Sequence, residues 1–249
     1  MKITARDIDH VVLTSTAPET LARRLGELGF TLTPEGTEPR CICFQPAADD
    51  VPNFIALREG EDAAALALNV AKLDGPVETF SWETEDGPSL DAELVSGDPA
   101  AALGWRPVQH PTPDAFTAPE WIVHPNGALA MMAVHAVADD PAALAKTLKA
   151  AWGGKSETIF DGCSVVKTGT VELLIWTPAA WQDEYKAIEA MAPATRPAIV
   201  GLAIAVERAR PVRALLNANN IPNVPVEDGR ILVGAEAAGG LAVEFVPQV

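Results

Sequence analysis

Residues 8–36 read IDHVVLTSTAPETLARRLGELGFTLTPEG, and the stretch parses as strand, helix, strand. From Ile8 to Ser15 the side chains alternate at the strand period of two. Ile8, His10, Val12 and Thr14 then share one face, and Asp9, Val11, Leu13 and Ser15 the other. Thr16 and Glu19 fit a capping box, each side chain able to satisfy the other residue's free amide, and Pro18 stands near the first helical position. Leu21, Leu25 and Leu28 make one apolar stripe at helical spacing, and Gly29 stops the helix. With that helix covering one face of the strand, the His10 side chain points away from it.

Working outward, Phe30–Thr33, Cys41–Gln45 and Asn53–Arg58 read as short strands, so the first unit is β-α-β-β-β, with Gly60–Ala65 as a connector. A second unit is expected to open at Thr79–Glu85, pass through a short helix to about Val95, and close with strands at Trp105–His110 and Glu120–His124. The three prolines of Pro111–Pro119 mark a loop, and His124-Pro125-Asn126-Gly127 is turn chemistry. Ala128–Ala138 reads as a buried strand, followed by a helix capped at Asp139-Asp140-Pro141 and stopped at Gly153-Gly154. Strands are expected at Thr158–Thr168 and Thr170–Trp176, then a connecting helix over Ala179–Ala192. A last unit has a strand at Ile199–Glu207, a helix after Pro211, and strands near Arg230–Val233 and Leu241–Val246.

Four prolines expected to open helices, Pro18, Pro88, Pro141 and Pro211, stand 70, 53 and 70 residues apart, so that first to third and second to fourth are both 123. This spacing suggests two similar halves, residues 1–126 and 127–249, each a pair of β-α-β-β-β units. The expected fold class is α+β.

A formal charge of −16 argues against nucleic acid or an anionic membrane as partner, because phosphates demand a basic surface. Cys41, Cys43 and Cys163 cannot all pair, and Cys41 and Cys43 lie two apart in a strand, so reduced thiols and a cytoplasmic setting are expected. The N-terminus has no apolar signal core, and the most apolar runs, Ala63–Ala71 and Ala128–Ala138, are too short to span a bilayer. KAAWGGKS at 149–156 lacks the first glycine of a phosphate loop, and no G-x-S-x-G elbow occurs.

The paired units, the first strand I-D-H-V-V-L and the ending G-L-A-V-E-F resemble the vicinal oxygen chelate, or glyoxalase/bleomycin-resistance, superfamily. PTPDAFTAPEWIVHPNGALAMMAVHAVADDPAALA, at 111–145, is similar to the middle of bacterial glyoxalase-like domain proteins. The resemblance implies tandem half-barrels with helices outside and a ligand inside. It also implies a divalent metal (Zn, Mn, Ni or Fe) serving a lyase, isomerase or dioxygenase, or else a metal-free protein that binds or sequesters a small molecule. It leaves a homodimer open as well, since related cups pair between subunits.

In such a site a His comes from a unit's first strand and a Glu from its fourth. His10 matches the His, but the Glu position falls on Ala56. The candidate site residues are therefore His10 and His110 as ligands, with Glu120 as a replacement carboxylate. His110, Trp121 and His124 would line a pocket for a small oxygen-bearing metabolite, although His124 also suits a turn-stabilising role. Glu83 and Glu85 are further carboxylates without motif support. Glu244 matches the fourth-strand Glu of the second half, but the position equivalent to His10 there is Ala133. His135 is therefore expected to be a hydrogen-bonded core residue, and the second half to be structural or to bind without metal.

Overall fold

The structure is a computed structural model that describes residues 2–35, 37, 39–45, 51–82, 90–95 and 101–248. Two curled sheets carry the chain. The first has seven strands in the order β2-β3-β1-β4-β7-β6-β5: β1 Ala5–Ser15, β2 Arg40–Cys43, β3 Phe54–Glu59, β4 Ala63–Val70, β5 Val77–Trp82, β6 Leu90–Val95 and β7 Arg106–Gln109. The second has eight, in the order β13-β14-β15-β12-β8-β11-β10-β9. These are β8 Ala128–Val137, β9 Lys155–Phe160, β10 Cys163–Lys167, β11 Glu172–Trp176, β12 Ala198–Val206, β13 Val224–Pro225, β14 Ile231–Val233 and β15 Ala242–Pro247. Helices are α1 Pro18–Glu27, α2 Pro119–Ile122, α3 Pro141–Trp152, α4 Pro178–Glu184 and α5 Ala209–Ala218. None is long and apolar enough to cross a membrane.

Each sheet is built about a central antiparallel pair, β1 with β4 and β8 with β12. Each central strand then pairs in parallel with the last strand of its own unit: β1 with β3, β4 with β7, β8 with β11, β12 with β15. A parallel neighbour needs a crossover, and in three units α1, α3 or α5 lies within it. The unit starting at β4 departs from this pattern. Only residues 71–76 separate β4 from β5, too few for a helix that could cross the sheet.

Four expectations are thereby corrected. The second unit opens at β4, not at Thr79, because Ala63–Val70 is a strand rather than the tail of a connector. Leu90–Val95 is a strand, not a helix: its buried Ala92 and Leu94 alternate with more exposed Asp91 and Glu93 at the period of two. Pro88, like Glu83 and Glu85, lies outside the described residues. Glu120–His124 is not a strand, since Pro119 opens the single turn of α2. Thr158–Thr168 is two strands, because Gly162 at φ +94° turns the chain between β9 and β10.

The capping box does not form either. The N-cap of α1 is Ala17, with no side-chain cap; the Thr16 amide donates to Asp62 Oδ1 at 3.0 Å, and Glu19 pairs with Arg40. The helix starts one residue too late for Thr16 to reach its first turn. Its end is as the sequence predicts: Gly29 sits at φ +89°, and a Cβ there would meet Asn126 Cβ and Leu215 Cδ1, both at 2.9 Å. Asp140 caps α3 by accepting from the Ala143 amide at 2.9 Å.

One apolar core joins the helix-bearing faces of both sheets. Leu21, Leu25 and Leu28 of the α1 stripe pack there with Ile8, Val11 and Leu13, and so do Leu148 of α3, Leu216 of α5 and Phe245 of β15. At about 2 kcal/mol for each fully buried leucine, the stripe holds α1 far more strongly than a missing cap loosens it. Buried Asp7 pins the sheets together, accepting from the amides of Thr170 (2.7 Å) and Val171 (3.0 Å) and from the Thr170 hydroxyl. The opposite faces of the sheets enclose separate clusters, and those inner faces carry His10, His110 and His135.

Candidate metal centre in the N-terminal cup

Strict alternation would set Ile8 beside His10 and turn Asp9 away. Across β1 and β4, Ile8 pairs with Leu68 and His10 with Ala67, so Asp9 is the extra residue of a β-bulge. The bulge breaks the alternation at one point. Ile8 and Val11 enter the core beneath the helices, while Asp9 and His10, consecutive in sequence, both address the inner face.

Asp9 Oδ1 lies 2.6 Å from His10 Nδ1 and 2.9 Å from His110 Nε2. His110 follows the end of β7, and its other nitrogen, Nδ1, lies 3.2 Å from the backbone oxygen of Asp91 on β6. Asn69 on β4 donates its amide Nδ2 to Asp9 Oδ2 at 3.0 Å. The His10 ring stacks on Phe54 (4.1 Å between centroids), Phe54 stacks on Phe116 (4.8 Å), and His110 meets Phe116 edge-on at 4.6 Å. The Asp9 and His110 side chains are fully shielded from solvent. Burial alone would raise the Asp9 carboxyl, but the two imidazoles beside it prevail and hold it well below the usual carboxylate range. Burial likewise pushes His10 down from its ordinary value, against the opposing bond to Asp9.

Asp9, His10 and His110 offer ligand atoms that all lie within 4.8 Å of one another. Two further observations test whether these residues suit a cation. Both His110 nitrogens face atoms that only accept hydrogen bonds, a carbonyl and a carboxylate, whereas a neutral imidazole has one N–H to give. The ring is satisfied at both ends only if it carries a positive charge, as imidazolium or through a metal on Nε2. The Nδ1 bond to Asp91 is the outer-shell bond that metal-ligating histidines characteristically make. Second, because Asp9 Oδ2 can only accept, the Asn69 nitrogen must face it, and Asn69 Oδ1 is left buried without a partner. A cation held by Asp9 would meet both demands. Two imidazole nitrogens and a carboxylate suit a divalent transition metal better than a hard calcium or magnesium ion, so the residues fit the group that the resemblance implies.

The remaining candidates are placed apart from this group. Glu120 is solvent-exposed on α2. Trp121 is buried in the inner cluster with Val12, Cys41, Cys43, Phe54, Ala56 and Phe116. His124 is buried, with Nδ1 accepting from the Thr31 amide at 3.0 Å and Nε2 donating to the Cys43 carbonyl at 2.9 Å, so both nitrogens serve the backbone. Ala56 lies within the apolar cluster, and the carboxylate that stands beside His10 and His110 is that of Asp9. Asp9 and Asn69 are the residues that sequence reasoning missed. An acid directly before the first-strand histidine was the only available signal, and it becomes meaningful only through the bulge.

In the second sheet the expectation that Glu244 has no histidine beside it is overturned. His135 Nε2 donates to Glu244 Oε1 at 3.1 Å, and His135 Nδ1 accepts from Trp176 Nε1 at 3.1 Å. Ala133 does hold the place of His10, since Met131 pairs with Ile204 and Ala133 with Ala203 as Ile8 pairs with Leu68 and His10 with Ala67; His135 reaches Glu244 from two residues further along β8. Glu244 Oε2 accepts from Arg230 Nη1 at 2.7 Å, and the same guanidinium reaches Glu184 (2.8 Å) and Asp228 (2.6 Å). Burial would raise the Glu244 carboxyl, but His135 and Arg230 hold it below its ordinary value. With both histidine nitrogens and both carboxylate oxygens engaged and a guanidinium already present, this cup does not fit a metal ion. A cleft of about 680 Å³ opens elsewhere, between the sheets, walled by Leu13, Leu21, Trp181, Met191, Ile199 and Leu241. It touches none of Asp9, His10 and His110.

No family model matches the sequence, and no curated protein matches it. Solved structures do. A homoprotocatechuate 2,3-dioxygenase from Brevibacterium fuscum superposes with a TM-score of 0.59 at 13% identity, over 99% of this chain and 72% of its own. A Mn(II)-bound glyoxalase from Novosphingobium aromaticivorans gives 0.57 at 11% identity, over 97% and 82%. A hypothetical protein from Staphylococcus aureus gives 0.59 at 9% identity, over 96% and 98%. Central strands paired in parallel with the last strands of their own units, together with these neighbours, show that the chain shares its fold with a dioxygenase and a glyoxalase.

Proposed function

We propose that the N-terminal cup is a divalent-metal centre held by Asp9, His10 and His110, and that it binds a small oxygen-bearing metabolite. The observation that carries this reading is the sharing of Asp9 Oδ1 by two imidazole nitrogens while His110 is braced from behind by the Asp91 carbonyl. A metal in this position would act as a Lewis acid on a bound oxygen. The protein's own contribution is orientation: Asn69 fixes the Asp9 carboxylate, Phe54 fixes the His10 ring, and Phe116 and Trp121 keep water away. A ligand reaches the centre by displacing the Pro113–Ile122 segment, which carries both of those aromatics. The dioxygenase and glyoxalase neighbours name the first reactions to screen, ring-opening of catechols and turnover of 2-oxoaldehyde adducts.

A second reading is a metal-free binding cup, in which His110 is an imidazolium paired with Asp9. The apolar packing of Ala56 among Phe54, Phe116 and Trp121 favours it. Metal content separates the two. Protein purified without an affinity metal column is offered Mn(II), Fe(II), Ni(II) and Zn(II), then assayed by plasma mass spectrometry. The metal reading expects about one ion per chain in the wild type, lost in Asp9→Asn and His110→Ala. A wild type that takes up none of the four metals refutes it.

A further inference from the structure

We infer that Asn69 is itself a donor to this centre, its amide oxygen supplying a fourth protein ligand beside Asp9, His10 and His110. The inference rests on the metal reading of the cup. Asn69 is 3% exposed on β4, and its register opposite Asp7 and beside Val108 of β7 sets it on the inner face with Ala67. Its amide cannot be turned around. Asp9 Oδ2 accepts and does not donate, so Nδ2 must face the carboxylate, and Oδ1 is the atom left over. That oxygen is buried and has no donor, a state that is costly when nothing compensates it. The leftover acceptor belongs to the same amide that holds Asp9, next to the only group of three or more convergent histidine, cysteine or acidic side chains among the described residues. A cation ligated by Asp9 offers what the orphan lacks.

Direct ligation has a chemical consequence. Three protein donors would suit a four-coordinate zinc ion with one open position, whereas a fourth, hard oxygen donor shifts the set towards six-coordinate Mn(II) or Fe(II) with two positions open. Two open positions are what a ligand binding through two oxygens requires.

The test uses the full chain, Mn(II) and Zn(II), and three forms of the protein: wild type, Asn69→Leu and Asn69→Asp. Free Mn(II) is followed by electron paramagnetic resonance, and far-UV circular dichroism of each metal-free variant checks folding. Aspartate keeps an oxygen for the metal but has no N–H for Asp9, whereas leucine has neither. If Asn69 is a ligand, Asn69→Leu weakens Mn(II) binding by about 100-fold or more, beyond the 10–100-fold range of outer-shell losses, and Asn69→Asp stays within about tenfold of wild type. Zn(II) binding falls less than Mn(II) binding in Asn69→Leu. Equal losses in the two variants overturn the assignment and leave Asn69 as a positioning residue acting through Asp9. If Asn69→Leu does not fold, Asn69→Ala takes its place, with the same two outcomes. A wild type that binds neither ion, with His110→Ala as its blank, overturns the metal reading and this inference together.

Discussion

His124 gives the sharpest test of how the N-terminal half is held. Its ring is 6% exposed, edge-on to Phe30 and Phe44, with Nδ1 accepting from the Thr31 amide and Nε2–H donating to the Cys43 carbonyl. Only the neutral Nε2–H tautomer satisfies both bonds; a proton on Nδ1 would face the Thr31 N–H. Burial pushes the ring from 6.5 down to about 4, against the weaker opposing effect of the Cys43 bond. A histidine depressed in the folded state contributes stability that is complete above its unfolded value and is lost as pH falls through 6.5 towards 4. Between pH 7.5 and 4.5 that loss is about 2.5 kcal/mol for this ring alone, approaching about 3.4 kcal/mol below pH 4. Other groups also titrate in this window, so the informative quantity is a double difference. Urea unfolding of wild type and His124→Asn at both pH values should find the variant less stable at pH 7.5. Its further loss on acidification should be smaller than wild type's by about 2.5 kcal/mol. Equal acid losses in the two proteins, within about 0.5 kcal/mol, would refute the locked tautomer and reopen His124 as a ligand-binding residue.

Asp7→Ala should cost roughly 3 kcal/mol, because it strands the buried Val171 amide and removes the partner of the Thr170 amide at the junction of the sheets; a change in urea unfolding free energy below about 0.5 kcal/mol would contradict this. Arg230→Met should destabilise by about 3 kcal/mol, since it leaves the Glu244 carboxylate buried against His135 without its cation. In the double variant Arg230→Met/Glu244→Gln most of that loss should return, which thermal denaturation would register. Phe116→Ala should leave metal content unchanged while raising the rate at which a small chelator strips the ion; an unaltered stripping rate would mean that the Pro113–Ile122 segment does not guard the cup.

What was legible in the sequence was local. Alternation gave β1, the leucine stripe and Gly29 gave α1, and Asp140 before Pro141 gave α3, because each signal is carried by residues within a few positions of one another. The resemblance gave the fold class, and with it His10 as the residue to watch. The unit at β4 escapes the proline spacing because no helix lies between β4 and β5, where a proline would mark its start, and the apolar run Ala63–Ala71 carries a central strand.

The candidate site itself was decided by the tertiary structure. Asp9 joins His10 only because Asp9 is skipped in the pairing of β1 with β4, and a bulge is a property of two strands that sequence periodicity in one strand cannot display. His110, Asn69 and the Asp91 carbonyl are 19 to 101 residues away from their partners along the chain, and they meet through sheet register alone. The same holds for His135 and Glu244, 109 residues apart, which the repeat offset does not pair and which meet because β8, β12 and β15 lie side by side. Sequence by itself thus determined which residues could do chemistry and which elements would bear them. The pairing of strands, set by long-range hydrogen bonds and apolar packing, decided which of those residues share one buried cup.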